Sequence, residues 1–181
     1  LSTDQAATIG FWQNKNGQRL IQASNEGLGD WLATTFPNLY GIHSASSLAG
    51  LTNAEVGSHF RTMFKTQLKA KKGSNPAVKL ECQVMAVAMA TYITNGNLAG
   101  QAGMDYGFLV TDEGVGIRTW NIAEYGFLFG VEDDSDVRIL DMLFATDGMT
   151  INGELYAEYD VVFRSFANDI YTAINEAGQR D

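Results

Sequence analysis

Few residues in this chain are suited to nucleophilic or metal chemistry. Its two histidines, His43 and His59, fall in no HExxH pattern and give no metal-hydrolase signature. His59 follows Glu55 by four residues, so on a helix the two side chains can touch. The pair suits one loop histidine and one helix histidine bonded to its neighbour. No Gly-x-Ser-x-Gly elbow is present. Gly114-Val115-Gly116 lacks the third glycine and the following helix of a dinucleotide fingerprint. The single cysteine, Cys82, lies in the apolar run Leu80-Glu81-Cys82-Gln83-Val84-Met85 and reads as a small buried residue. Neither an intramolecular disulfide nor a thiolate metal cluster can be built from it.

Carboxylates and aromatic rings offer more. Glu26, Asp30, Glu81, Asp105, Asp112, Glu113 and Glu124 lie among glycines and aromatics, as glycosidase carboxylates do. Glu81 interrupts an otherwise apolar helix, and partial burial there would raise its pKa towards general-acid use. The plainer reading pairs it with a helix cap or with Arg19, Lys15 or Arg61. Asp133, Asp134 and Asp136 crowd one short stretch and would welcome a hard cation such as calcium. The stretch lacks the glycine and closing glutamate of an EF-hand loop, so capping of a following helix is the favoured reading, with no other cofactor expected. Trp12, Trp31 and Trp120 are the candidate stacking platforms for sugar rings. Beside Trp12 stand Asn14, Lys15, Asn16 and Gln18, polar partners of the sort a glycan site uses. They equally suit a buried network locking the N-terminal turn.

These residues need a scaffold, and the pattern predicts a mainly α fold. A first helical element starts at Thr8, runs to Ile21 and breaks near Asn14-Lys15-Asn16-Gly17. Asp30 caps a short helix through Trp31, Leu32 and Phe36, which Pro37 stops. Residues 41 to 51 form a small-residue loop. Thr52-Asn53-Ala54-Glu55 is a capping box, opening a helix with Val56, Phe60, Met63 and Phe64 on one stripe. Lys65, Lys69, Lys71 and Lys72 load its C-terminal end, and Gly73-Ser74-Asn75 closes the turn. Asn75-Pro76 starts the next helix, apolar nearly all round from Leu80 to Ile93 and therefore buried on every side.

Beyond it, Tyr106–Thr111 and Val115–Asn121 read as a β hairpin turning at Asp112-Glu113-Gly114. The Asp133–Asp136 stretch caps a helix with Val137, Ile139, Leu140, Leu143 and Phe144. Asp147-Gly148 and Asn152-Gly153 are turns, and a last helix runs from Glu158 to Ala177. The expectation is a single compact helical domain over residues 1–181, built around a buried central helix with a small β hairpin.

Composition narrows the function. The 181 residues are 45% hydrophobic and only 18% charged, with a net charge of −9 and a pI near 4.6. A chain this long buries roughly two-thirds of its unfolded surface and needs no staple. The acidity disfavours nucleic acid and anionic lipid, and no run reaches a membrane span, so no insertion is expected. The chain opens at Leu1 without a basic-then-apolar leader, as a processed or excised segment would.

The segments Thr8–Gln18, with Gly10-Phe11-Trp12-Gln13-Asn14-Lys15-Asn16-Gly17-Gln18, and Gly29–Gly41 resemble an uncharacterised domain of large secreted bacterial surface proteins. Lys79–Val84, Tyr92–Asn95, Tyr106–Gly116 and Ala167–Asn175 fit the same pattern, so the resemblance spans nearly the whole chain. It implies an extracellular or cell-surface setting and brings no catalytic residues. The expected function is an adhesion or assembly module without catalytic activity, meeting an extracellular glycan or surface protein. The alternative is a carbohydrate-binding or polysaccharide-cleaving domain.

Overall fold

The computed structural model describes residues 1–69 and 79–179. Lys71, Lys72, Gly73 and the Asn75-Pro76 start signal lie outside them. Among the described residues the α-helices are α1 (Ile9–Gln13), α2 (Lys15–Ala23), α3 (Leu28–Thr35), α4 (Pro37–Tyr40), α5 (Asn53–Lys69), α6 (Leu80–Ile93), α7 (Gly96–Ala99), α8 (Ile139–Gly148) and α9 (Val161–Ala177). Two short strands, β1 (Thr119–Asn121) and β2 (Asp136–Arg138), pair antiparallel with Trp120 opposite Val137. The fold is mainly α with a small β hairpin. No helix among the described residues is long and apolar enough to cross a membrane.

Helix α6 is the centre. Every residue from Cys82 to Ile93 is buried, and only Glu81 in its first turn is exposed. A helix with no polar face must be enclosed, and α1, α3, α5, α8 and α9 all pack on it. Asn175 of α9 donates its side-chain amide to the Gln83 carbonyl and side-chain oxygen at 3.1 and 2.8 Å, giving that interface a buried polar pair.

The N-terminal break falls where expected. Asn14 ends α1 and caps α2, its side chain accepting from the Asn16 and Gly17 N–H groups at 3.0 Å each. Pro37 ends nothing: α3 finishes at Thr35 and Pro37 takes the first position of α4, where its missing N–H costs nothing. Asp30 is not a cap but a first-turn residue of α3, accepting from the Gly50 N–H at 2.7 Å. The Thr52–Glu55 capping box forms reciprocally, at 3.0 and 3.2 Å.

Two larger expectations fail as well. The hairpin over Tyr106–Asn121 does not form; Ala102–Tyr106 and Val115–Ile117 are 3-10 turns. The end of α6 captures this segment's backbone instead. Thr94 and Gly96 exchange backbone hydrogen bonds with Thr111, and the Thr94 hydroxyl accepts from the Val115 N–H at 2.8 Å. Gly114, at φ +69°, lies so close to Thr94 and Asn95 that a Cβ would come within 2.7 Å of the Asn95 nitrogen. The hairpin assembles from Thr119–Asn121 and Asp136–Arg138, across residues 122–135. The second failure is Asp133–Asp136 as a cap: α8 begins only at Ile139, with Arg138 in the cap position.

Asn53, fully buried, ties four elements together. Its side-chain nitrogen lies 3.0–3.2 Å from the carbonyls of Ile21, Ser24 and Asn25, and its oxygen accepts from the Leu28 N–H at 3.2 Å. Its own N–H donates to Glu26 at 3.0 Å. Asn53→Ala strands the Ser24 carbonyl and the Leu28 N–H, each costing roughly 1–3 kcal/mol without a partner, while the Ile21 and Asn25 carbonyls keep the Ser24 and Tyr92 hydroxyls. Urea unfolding is expected to show a loss of at least about 2 kcal/mol; a loss below about 1 kcal/mol would mean that the amide is dispensable.

Candidate functional site

A cleft of about 240 Å³ opens beside the first turn of α6. Leu39 and Tyr40 of α4, Met63 of α5 and Leu155 form apolar walls. His59, Thr62, Ser46 and Glu81 place polar groups among them. Two shallower depressions continue it. One shares His59 and Thr62 and reaches Glu55; the other shares Ala45 and holds His43 and Ile42.

Each wall has a local cause. Asp147, at the end of α8, accepts from the Asn38 and Leu39 N–H groups at 3.0 and 2.9 Å, and Asn38 donates back to its carbonyl at 3.0 Å. That fixes the N-terminus of α4 in space. The loop after α4 turns back through a 2.8 Å bond from the Leu48 N–H to the Tyr40 carbonyl. The far wall is the predicted Asn152-Gly153 turn. Both residues have positive φ, +51° and +81°, and Ile151 and Glu154 exchange backbone bonds across them. At Gly153 any side chain would strike Ala45, with a Cβ at 2.6 Å from the Ala45 Cβ, so glycine lets this turn close on the loop. Glu154 is held in turn by Arg164 of α9 at 2.7 Å.

The electrostatics follow from these walls. Burial lowers the His59 pKa, favouring the neutral imidazole. Glu81 keeps solvent access, yet its crowded surroundings, and secondarily the negative charge of Glu154, raise its pKa. Its hydrogen-bond partner among the described residues is Gln67, at a long 3.4 Å, rather than Arg19, Lys15 or Arg61. Tyr40 is buried, and desolvation holds its phenol pKa well above the usual value, so it stays neutral. Burial, with help from Glu81, pushes the Cys82 thiol up to about 12, so it is an inert core residue. Glu55 is committed to Thr52, which lowers its pKa, and does not serve His59 as the spacing suggested. The arrangement offers hydrocarbon walls, a neutral imidazole, the hydroxyls of Ser46 and Thr62, the Tyr40 phenol and one carboxylate.

The expected ligand residues do not converge here. Trp12 is fully buried against Phe11 and Phe108, with ring centres at 5.2 and 5.6 Å, so no sugar can stack on it. Its indole N–H has no hydrogen-bond partner among the described residues. Asn14 is used as a cap, and Gln18 donates to the Trp12 and Gly57 carbonyls at 3.0 and 2.9 Å, tying α1 and α2 to α5. Lys15 and Asn16 are exposed. Trp31 is half-buried against Phe36 and Tyr92, and Trp120 is half-buried on β1. The acidic stretch is likewise occupied. Asp133 accepts from the Gly126 N–H at 3.1 Å and Asp136 from the Asn121 side-chain amide at 3.1 Å. Asp134 has a left-handed backbone, φ +59°. No group of three or more His, Cys, Asp or Glu among the described residues is placed to hold a metal ion.

Sequence reasoning singled out His59 and Glu81 without joining them, and it missed Tyr40, Ser46, Thr62, Met63 and Leu155. The usable signals were Glu81 in an apolar helix and the Asn-Gly turn. Compared with known proteins, the chain matches no protein family, no curated relative and no solved structure.

Two measurements check this geometry. Trp12→Ala is expected to cost about 3–5 kcal/mol, and Trp12→Phe much less, because the indole N–H makes no bond to any described residue. Equal losses would show that the N–H matters. For His59, an NMR titration is expected to give a midpoint below about 6.5. The folded state then binds fewer protons than the unfolded chain, so acidification below about pH 6.5 removes stability through His59. The raised pKa values of Glu81 and Asp147 act in the opposite sense, adding stability as pH falls through them. His59→Gln therefore isolates the first contribution and should flatten the loss between pH 7 and 5; an unchanged profile would contradict it.

Proposed function

We propose that this chain is a non-catalytic binding module, exported for adhesion or assembly at a bacterial surface, with the cleft beside Glu81 as its ligand seat. The observation that carries the reading is the cleft itself, an apolar concavity onto which a few polar groups converge. The segment first suspected of binding, residues 12–18, spends its ring, cap and amide on internal contacts, which leaves recognition to another part of the surface. Low charge density, acidity and the resemblance to secreted bacterial surface domains support export.

A second reading, binding to polysaccharide, draws on one exposed strip of rings. Phe127 and Phe163, each 39% exposed, lie 5.2 Å apart, and Phe166 and Tyr125 extend the strip. Such rings can stack on sugars, and they replace the buried Trp12 as the platform.

One screen separates the readings. Wild type, Thr62→Trp and Phe163→Ala are tested against bacterial surface glycans, surface-protein peptides and small amphipathic compounds. Thr62 is exposed at the cleft mouth, so an indole there occludes the cleft without entering the core. The cleft reading predicts that Thr62→Trp abolishes binding at unchanged melting temperature while Phe163→Ala retains it. The reverse pattern supports the polysaccharide reading, and release of soluble sugar from any glycan would overturn the non-catalytic assignment.

A further inference from the structure

We propose that the cleft recognises a small cationic amphiphile, an apolar body carrying one ammonium group that pairs with Glu81. The inference rests on the cleft being the ligand seat. Its walls at Leu39, Met63 and Leu155 offer nothing to a polar body but contact a hydrocarbon well. A cavity of roughly 150 Å³ lodges benzene, so about 240 Å³ accommodates one ring with a short aminoalkyl arm.

The charge of the ligand follows from what surrounds it. Glu81 is the carboxylate lining the cleft, and its one described hydrogen bond is the long contact from Gln67. Glu154 is like-charged and already holds Arg164. The ion pairs among the described residues are Arg138–Asp141 and Arg164–Glu154, and neither neutralises Glu81. His59 is kept neutral by burial and supplies no cation near neutral pH. Among the described residues the wall is therefore negative where Glu81 lines it, and an anionic head group would meet repulsion there. The net charge of −9 extends the same preference to the approach of the ligand. Ser46 and Thr62 can accept the remaining ammonium hydrogens.

The test compares three probes that share a phenyl body: 2-phenylethylamine, cationic at pH 7, neutral 2-phenylethanol and anionic 3-phenylpropanoate. Binding is followed by calorimetry and by amide NMR shifts on wild type, Glu81→Gln and Thr62→Trp. In wild type the amine is expected to bind about tenfold more tightly than the alcohol, with the anion weakest and the shifts centred on His59, Met63 and Leu155. Glu81→Gln should bring the amine down to the alcohol's affinity and leave the alcohol unchanged. Equal binding of amine and alcohol, or an amine preference that survives Glu81→Gln, overturns the cationic assignment while the cleft remains the seat. If none of the probes moves the cleft amides of wild type, and Thr62→Trp behaves identically, the seat and its chemistry both fall.

Discussion

The structure depends on a helix that water cannot touch. From Cys82 to Ile93, α6 has no solvent face, so removing it from water requires neighbours on all sides. Helices α1, α3, α5, α8 and α9 provide them, drawn from nearly the whole length of the chain. Only the first turn of α6 reaches the outside, at Glu81, and both ends are engaged. Its C-terminal end captures the backbone of residues 111–115, and its N-terminal turn brings Glu81 to the cleft. The cleft is thus a consequence of the enclosure: α4, α5 and the turn at Asn152-Gly153 close around the helix but do not meet completely over its first turn.

Enclosure by so many short elements brings polar groups inside, and buried side chains satisfy them. Asn53 serves the loop between α2 and α3. Thr146 joins the hydroxyls of Tyr156 and Tyr171, which donate onward to the Leu128 and Met142 carbonyls at 2.9 and 3.0 Å. Asp147 serves the N-terminus of α4. These contacts help a chain with little regular structure between α7 and α8 hold fixed positions, because they give irregular carbonyls such as those of Leu128 and Met142 a buried donor. The Asn14 and Gln18 side chains are used in the same way, one as the cap of α2 and the other as a tie between α1, α2 and α5.

What was legible in the sequence divides along the same line. The capping box at Thr52, the break at Asn14, the all-apolar run of α6 and the Asn-Gly turn at 152–153 are local signals, and local physics decides them. The hairpin at 106–121 was misplaced because its alternation and its glycine turn are real, yet Thr94 and Asn95 compete for the same backbone groups from more than a dozen residues away. Asp133 to Asp136 misled for a related reason: acidic residues suit helix starts, but Asp133 turns back to Gly126 and Asp136 enters a strand. Of the cleft, Glu81 announced itself as a charge out of place, and the Asn152-Gly153 turn as a turn but not as a wall. Its other walls come from four separate segments, which no spacing in the sequence brings together.

The central claim is that α6 and its enclosure are one cooperative unit on which the rest, cleft included, is built. Native-state hydrogen exchange tests it most directly. The amides of Val84–Ala90 should exchange only through global unfolding, with a free energy equal to that from urea denaturation, while the loop at 41–51 and the turn at 151–154 open at lower cost. Exchange of the α6 amides through a cheaper, local opening, with α1, α2 and α5 still protected, would contradict the account.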